Sequence, residues 1–199
     1  MRFAYADPPY PGLSAKYYRH EDSYAGEVDH AALVASLVDG RYDGWALSTS
    51  ARALRDVLPM CPPGARVCAW VKPGGAPPAT YGLHNVWEPV IVVPGRWRRP
   101  GKRDALVAHP ARGGGSLPGR KPLAFCAFLF DALGMLPGDE LEDLFPGTGI
   151  VGRAWAELSS VAARDASPPG TGDVVEDLGD DASLAAADDG RRCGDAMGE

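Results

Sequence analysis

The chain has 199 residues, 45% of them apolar, and a formal net charge of −6. That length suits one α/β domain with a tail, and the apolar fraction can bury an ordinary core. The longest apolar run, Leu123 to Phe130, falls far short of the ~20 residues that span a bilayer, which excludes an integral membrane helix.

The charge is segregated. Residues 165–199 carry ten acids and two arginines, a net of −8, whereas residues 1–164 carry 18 bases and 16 acids, a net of +2. The division predicts an ordered domain over 1–164 and an acidic low-complexity tail over 165–199. The tail is rich in Asp, Gly, Ala, Ser and Pro and poor in large apolar residues, so disorder is expected there. Cys61, Cys68, Cys126 and Cys193 have no C-x-x-C spacing, and the four histidines are scattered. No metal and no disulfide framework are expected. Asp7 and Pro8-Pro9 interrupt the N-terminus before any signal-like apolar region, so a reducing, cytoplasmic setting is expected.

Arg2 to Ala6 reads as a short strand, stopped by prolines that cannot donate to a ladder. Asp29 is placed to cap a helix over 30–38, with Gly40 just past its end. Trp45 to Thr49 is a strand, and Ser50 can cap a short helix through Val57, closed before Pro59. Arg66 to Val71 is a buried strand, followed by a Pro/Gly-rich loop over 73–80. Val86 to Val93 is β-branched, but Pro89 assigns it to a sheet edge or bulge. The segment 94–120 loses regular pattern, apart from a short strand at 105–108. Pro122 opens a helix to Leu133, with Gly134 as its stop. Glu140 to Phe145 is a strand, Ile150 to about Leu158 a helix, and Val161 to Ala163 one more short strand. Strands alternating with helices imply a mostly parallel sheet covered on both faces.

Two motifs carry chemistry. Asp7-Pro8-Pro9-Tyr10 directly follows the first strand. An exocyclic amine on a nucleobase is a poor nucleophile because its lone pair is delocalised into the ring. A carboxylate accepting one N–H and a main-chain carbonyl accepting the other can localise that pair. The Asp7 side chain and the Pro8 carbonyl suit these roles, the two prolines stiffen the loop, and Tyr10 offers a face on which an extruded base can stack. The same residues also fit an Asp-Pro turn with a buried tyrosine. The second motif, Asp143-Leu144-Phe145-Pro146-Gly147-Thr148-Gly149, ends a strand and opens a helix. Its glycines allow close backbone approach and the helix N-terminus offers N–H groups to an anion, although an ordinary βα turn can look alike. It lacks the spacing of a P-loop, which argues against nucleoside triphosphates.

Together the motifs resemble those of amino-group DNA methyltransferases. Asp7-Pro-Pro-Tyr10 is similar to their catalytic motif and Asp143 to Gly149 to their S-adenosylmethionine loop. Gly119-Arg120-Lys121-Pro122, with the helix that follows, is similar to the Lys-Pro segment that precedes that loop. Catalytic motif first and cofactor motif late is the permuted order of the β-group N6-adenine and N4-cytosine enzymes, shared by the MT-A70-like family. Compact phage-encoded adenine methyltransferases look alike. The resemblance covers roughly residues 2–160. It implies a Rossmann-like class I fold with S-adenosylmethionine as cofactor and adenine N6 in DNA as target, because the N4-cytosine enzymes usually carry serine in place of the aspartate. RNA adenine, cytosine N4 and a non-catalytic nucleic-acid-binding relic are the alternatives. The implied catalytic residues are Asp7, Pro8, Pro9 and Tyr10. The implied cofactor residues are Asp143, Phe145, Pro146, Gly147, Thr148, Gly149, Lys121 and Pro122. The host compartment would be the cytoplasm of a bacterium or a phage-infected cell.

The family usually has two further strands after the cofactor loop, with an acid holding the cofactor ribose. Little chain remains for them here. A strand at Val161–Ala163 would make Asp165 that ligand and leave the sheet truncated. The target-recognition region would be reduced to 94–120. Residues 95–121 hold eight bases against Asp104, a net of +7. This Gly-rich stretch, with Trp97 interleaved, suits phosphate contacts by Arg96, Arg98, Arg99, Lys102 and Arg103. Lys16 and Tyr17 follow the catalytic motif closely enough to join the target pocket. Glu88 can orient a basic residue or contact substrate, but reads first as an edge-strand acid.

Overall fold

The computed structural model describes residues 1–10, 27–74, 85–96, 103–111 and 120–165, with side chains to 162. Lys16, Tyr17, Arg98, Arg99, Lys102, most of the 73–80 loop and the tail from 166 lie outside the described residues.

Six strands form one sheet: β1 (Arg2–Ala6), β2 (Gly44–Ser48), β3 (Arg66–Val71), β4 (Trp87–Val93), β5 (Ala105–Val107) and β6 (Glu140–Asp143). Their spatial order is β5-β3-β4-β2-β1-β6. β1 runs parallel to both β2 and β6, and β3 parallel to β5, whereas β4 is antiparallel to β2 and β3. Five strands therefore share one direction and β4 opposes them.

Helices α1 (His30–Val38), α2 (Leu54–Val57), α3 (Leu123–Leu133) and α4 (Ile150–Asp165) cover the sheet. The Asp29 carboxylate caps α1 by accepting from the Ala32 amide at 3.0 Å. Ser50 Oγ likewise accepts from Ala53 at 3.1 Å ahead of α2. A 3₁₀ turn, Leu58–Met60, carries the chain past Pro59 instead of stopping before it. Gly134 ends α3 in the left-handed region at φ +77°, a conformation that glycine adopts without steric penalty.

Side-chain alternation divides the sheet into two faces. Phe3, Tyr5, Ala46, Cys68, Trp70, Val90 and Val92 pack under Phe125, Leu129 and Phe130 of α3 and Val151 and Trp155 of α4. Ala4, Ala6, Trp45, Leu47 and Ile91 pack against Val34 and Leu37 of α1 and Val57 of α2. At roughly 1.5–3 kcal/mol for each large buried side chain, these two layers are the main source of stability.

Two expectations are corrected. β4 is central, not an edge. Pro89 O accepts from the Thr49 amide at 3.1 Å, just past the end of β2. In an extended strand a residue's N and carbonyl point to the same side, so the donor that Pro89 lacks faces the place where β2 pairing has ceased. Val161–Ala163 belongs to α4, which continues to Asp165. The Ala-rich sequence favours helix there, and Asp165 does not follow a strand.

Among the described residues no helix is long and apolar enough to cross a membrane.

Candidate functional site

In an open α/β sheet, ligands sit beyond the carboxyl ends of the strands, where neighbouring strands send their helices to opposite faces. Here that point lies between β1 and β6. The chain leaves β1 for α1 on one face, and leaves β6 for α4 on the other. The pairing sets Tyr5 opposite Asp143, and the Leu144 amide bonds Tyr5 O at 2.9 Å. The two sequence motifs therefore leave the sheet side by side.

The alternation that buries Phe3 and Tyr5 under α3 turns Asp7 to the same face. The same rule, applied strand by strand, lines that margin with Asp143 after Leu141, Asp7 after Tyr5, Ser48 after Ala46, Glu88 before Val90 and Lys72 after Trp70. One polar residue thus comes from each of five neighbouring strands, in the spatial order β6, β1, β2, β4, β3. Glu88 belongs to this row because β4 runs the other way: the start of β4 lies where its neighbours end.

Lys121, immediately before α3, closes the row. Its Nζ lies 3.3 Å from Asp7 Oδ2 and hydrogen-bonds Glu88 Oε1. It also stands 5.0 Å from the ring centroids of Trp70 and Phe125. Lys72 Nζ donates to the other Glu88 oxygen at 2.7 Å. The Lys121 and Glu88 side chains are only 6% and 5% exposed, against 28% for Asp7, so the pair is buried and the carboxylate of the motif is the outward member. Burial drives the Lys121 ammonium toward neutrality, but Asp7 and Glu88 outweigh it and raise its pKa. Burial pushes the Glu88 carboxyl up, and the Lys121 and Lys72 ammoniums more than reverse the shift. Asp7 is raised by burial in spite of Lys121. The half-buried Tyr10 phenol is raised by burial and by the nearby Asp7 and Glu88 carboxylates. Tyr5 Oη pairs with Ser48 Oγ at 2.9 Å beneath them.

At the second motif, burial raises the Asp143 carboxyl to about 6, with Asp7 adding to the shift and the Phe145 amide opposing it. Asp143 Oδ1 is buried with no hydrogen-bond partner, a costly state that a donor from a bound molecule would relieve. Gly147 and Gly149 have φ of +49° and +68°. Among the described residues a Cβ at Gly147 would meet only the Phe145 carbonyl, at 3.9 Å, so these residues leave the loop's outer side open. The first turn of α4 has amides without intrahelical partners. Phe145 is half-buried and packs toward the α1 face. An orphaned acceptor, an open glycine loop and a helix N-terminus together fit a cofactor with amine, hydroxyl and carboxylate groups.

The structure does not bring Arg96 or Arg103 to this site. Arg96 pairs with Asp139 through both terminal nitrogens, and Asp139 also accepts from the Leu136 amide and the Met1 ammonium. The Arg96 guanidinium holds the Asp139 carboxyl far below the usual range. That cluster adjoins the start of β1, ~20 Å along the strand from Asp7 at about 3.3 Å per residue. Arg103 precedes β5, four strands from β1 and so also ~20 Å away at about 4.8 Å per strand. The physical reason is strand direction: β4 descends, so the run that follows it starts at the far end of the sheet. Glu88 is the residue that sequence reasoning placed at an edge. Its signal was the alternation Val92, Val90, Glu88. Among the described residues no group of three or more His, Cys, Asp or Glu could hold a metal ion.

No protein-family model and no curated protein matches the chain. Two solved structures are similar in fold. The crystal structure of an M1.HpyAVI–SAM complex aligns with TM-score 0.52 at 18% identity, over 80% of this chain and 78% of that one. The crystal structure of M1.HpyAVI aligns with TM-score 0.53 at 19% identity, over 79% and 76%. The chain therefore has the Rossmann-like α/β sheet of those structures.

Proposed function

We propose that this protein is an S-adenosylmethionine-dependent methyltransferase acting on the N6 amino group of adenine in DNA. The carrying observation is the juxtaposition of Asp7-Pro8-Pro9-Tyr10 and Asp143–Gly149 on neighbouring parallel strands at the switch point of the sheet. The similar fold of the M1.HpyAVI–SAM complex supports the choice of cofactor.

In this reading Asp143, Phe145 and the Gly147–Gly149 turn hold the cofactor, with Pro146 and Thr148 shaping the turn. When bound, it supplies an electrophilic methyl group on a sulfonium. The chain's own task is to present a nitrogen lone pair. Asp7 accepts one amino N–H and the Pro8 carbonyl the other, which draws the lone pair out of conjugation. Pro9 keeps the loop stiff, so neither acceptor must reorganise. Tyr10 offers its ring to the extruded base. Lys16 and Tyr17 follow Tyr10 after the short segment Pro11 to Ala15 and would contact the target strand.

The test is purified protein with tritium-labelled S-adenosylmethionine, offered DNA or RNA, followed by digestion to nucleosides. Label in N6-methyladenine from DNA is expected, and Asp7→Ala should lower the rate at least about hundredfold. Label only in N4-methylcytosine or only in RNA overturns the substrate assignment. Failure to bind S-adenosylhomocysteine by calorimetry overturns the reading as a whole.

A further inference from the structure

The site contains a buried cation that the transfer chemistry above does not use. Lys121 is fixed from every side. Pro122 follows it and caps α3, the rings of Trp70 and Phe125 flank its ammonium, Glu88 takes one N–H, and Asp7 lies 3.3 Å away. A surface lysine loses much of its side-chain freedom when so held, and a buried ammonium is stable only where its charge is matched. Glu88 is itself matched by Lys72. Lys72, Glu88, Lys121 and Asp7 therefore alternate in sign and sum to zero. Removing any one leaves an odd charge in a place with little water.

We propose that Lys121 is a positioning residue for the transfer: it holds Oδ2 of Asp7, so that the carboxylate meets the substrate amino group as a fixed, bare acceptor through Oδ1. This rests on the reading of Asp7 as the amino-group acceptor. The physical need is plain from the groups that face Asp7. Glu88 from β4, Asp143 from β6 and the phenols of Tyr5 and Tyr10 supply no positive charge. Lys72 after β3 is spent on Glu88, and among the described residues only Lys121 touches Asp7 directly. A half-buried carboxyl among acids takes up a proton. A protonated Asp7 carries an O–H at the place where an N–H must be accepted, and it can no longer polarise that N–H to leave electron density on the nitrogen. Lys121 prevents this by favouring the ionised form, and its grip on one oxygen orients the other.

The test uses the whole chain with ¹³C-labelled aspartate side chains. The Asp7 carboxyl is titrated by NMR in wild type, Lys121→Met and Lys121→Arg, alongside pH profiles of kcat/KM and calorimetry with S-adenosylhomocysteine. Lys121→Met should raise the Asp7 midpoint by about one pH unit or more, a tenfold weaker acid, and move the acid limb of kcat/KM up by the same amount. Lys121→Arg should keep both near wild type. Affinity for S-adenosylhomocysteine, which the resemblance also ties to Lys121, is read beside the midpoint and decides only together with it. If Lys121→Met does not fold, Lys121→Met/Glu88→Gln removes the stranded charge as well. Its Asp7 midpoint should still lie above wild type, because Lys121 acts on Asp7 more strongly than Glu88 does. An unmoved Asp7 midpoint overturns the proposal. So does weakened S-adenosylhomocysteine binding with an unmoved midpoint, which would make Lys121 a cofactor contact. A wild type that transfers no methyl group overturns the assigned function, and the titration still decides whether Lys121 governs the charge of Asp7.

Discussion

Substitution of Gly147 separates what the fold needs at the second motif from what a ligand needs. Gly147 has φ +49°, and a Cβ built there meets nothing nearer than the Phe145 carbonyl at 3.9 Å, an ordinary contact. Gly147→Ala therefore costs the fold only the left-handed penalty, about 1 kcal/mol. Part of that is offset by the smaller entropy of the unfolded chain, about 0.4–1 kcal/mol. Thermal unfolding should move by no more than about 2–4 °C. The cofactor is assigned to the open side of this loop, where a methyl group would intrude on it. Calorimetry should then show S-adenosylhomocysteine binding weakened at least about tenfold, or 1.4 kcal/mol. Gly40→Ala is the control. Gly40 is also left-handed, at φ +93°, and also has nothing within 4 Å. It follows α1 and lies at the opposite end of the sheet from the motif. It should show a stability loss of the same kind and no change in binding. Equal S-adenosylhomocysteine affinity for wild type and Gly147→Ala would refute the placement of the cofactor against this turn.

Asp143 gives a prediction with a definite sign. Its folded pKa of about 6 lies above the ordinary 3.8, so the stability that proton binding contributes is complete below ~4 and lost as pH rises through 6. In urea, Asp143→Asn should exceed wild type at pH 7.5 and lose the advantage below pH ~4; a pH-independent difference would sink the argument. Arg96→Gln removes both guanidinium bonds to Asp139 and should lower the Tm measurably, with DNA affinity unchanged. Lys16→Gln should do the reverse, leaving Tm alone and lowering the salt-dependence slope of DNA binding by about 1. DNA affinity that follows Arg96 rather than Lys16 would return the phosphate contacts to the far end of the sheet.

Local signals were legible because they act over a few residues. The cap at Asp29, the stop at Gly134 and the strand from Arg2 to Ala6 fall where propensity and capping chemistry place them. Both motifs were legible for the same reason: each is one strand end and one turn. The row that joins them was not. Asp143, Asp7, Ser48, Glu88 and Lys72 are neighbours across the sheet, whereas sequence reading groups residues along the chain. Pro89 misdirected the placement of β4 because a missing donor matters only where a partner carbonyl faces it, and β2 ends just there. In the basic stretch the charges are contiguous in sequence, but the descending β4 delivers Arg96 to the remote end of the sheet. Val161–Ala163 shows the opposite failure, an expected strand overridden by a helix that its alanines readily extend.

The ladder between β1 and β6 has a consequence for dynamics. Among the described residues β6 has one hydrogen-bonded neighbour, and their pairing spans four residues, Arg2–Glu140 to Tyr5–Asp143. The whole second motif hangs from that short seam. A brief local opening of β6 would carry the glycine turn and Asp143 away from Asp7 together, leaving the rest of the sheet intact. A molecule bound across both loops would act as a stitch on the seam, so occupancy of the site and closure of the sheet edge are a single equilibrium. Amide exchange at Glu142 and Leu144, whose N–H groups face β1, should report that equilibrium directly, slowing as the ligand fills the site and doing so in proportion to its affinity.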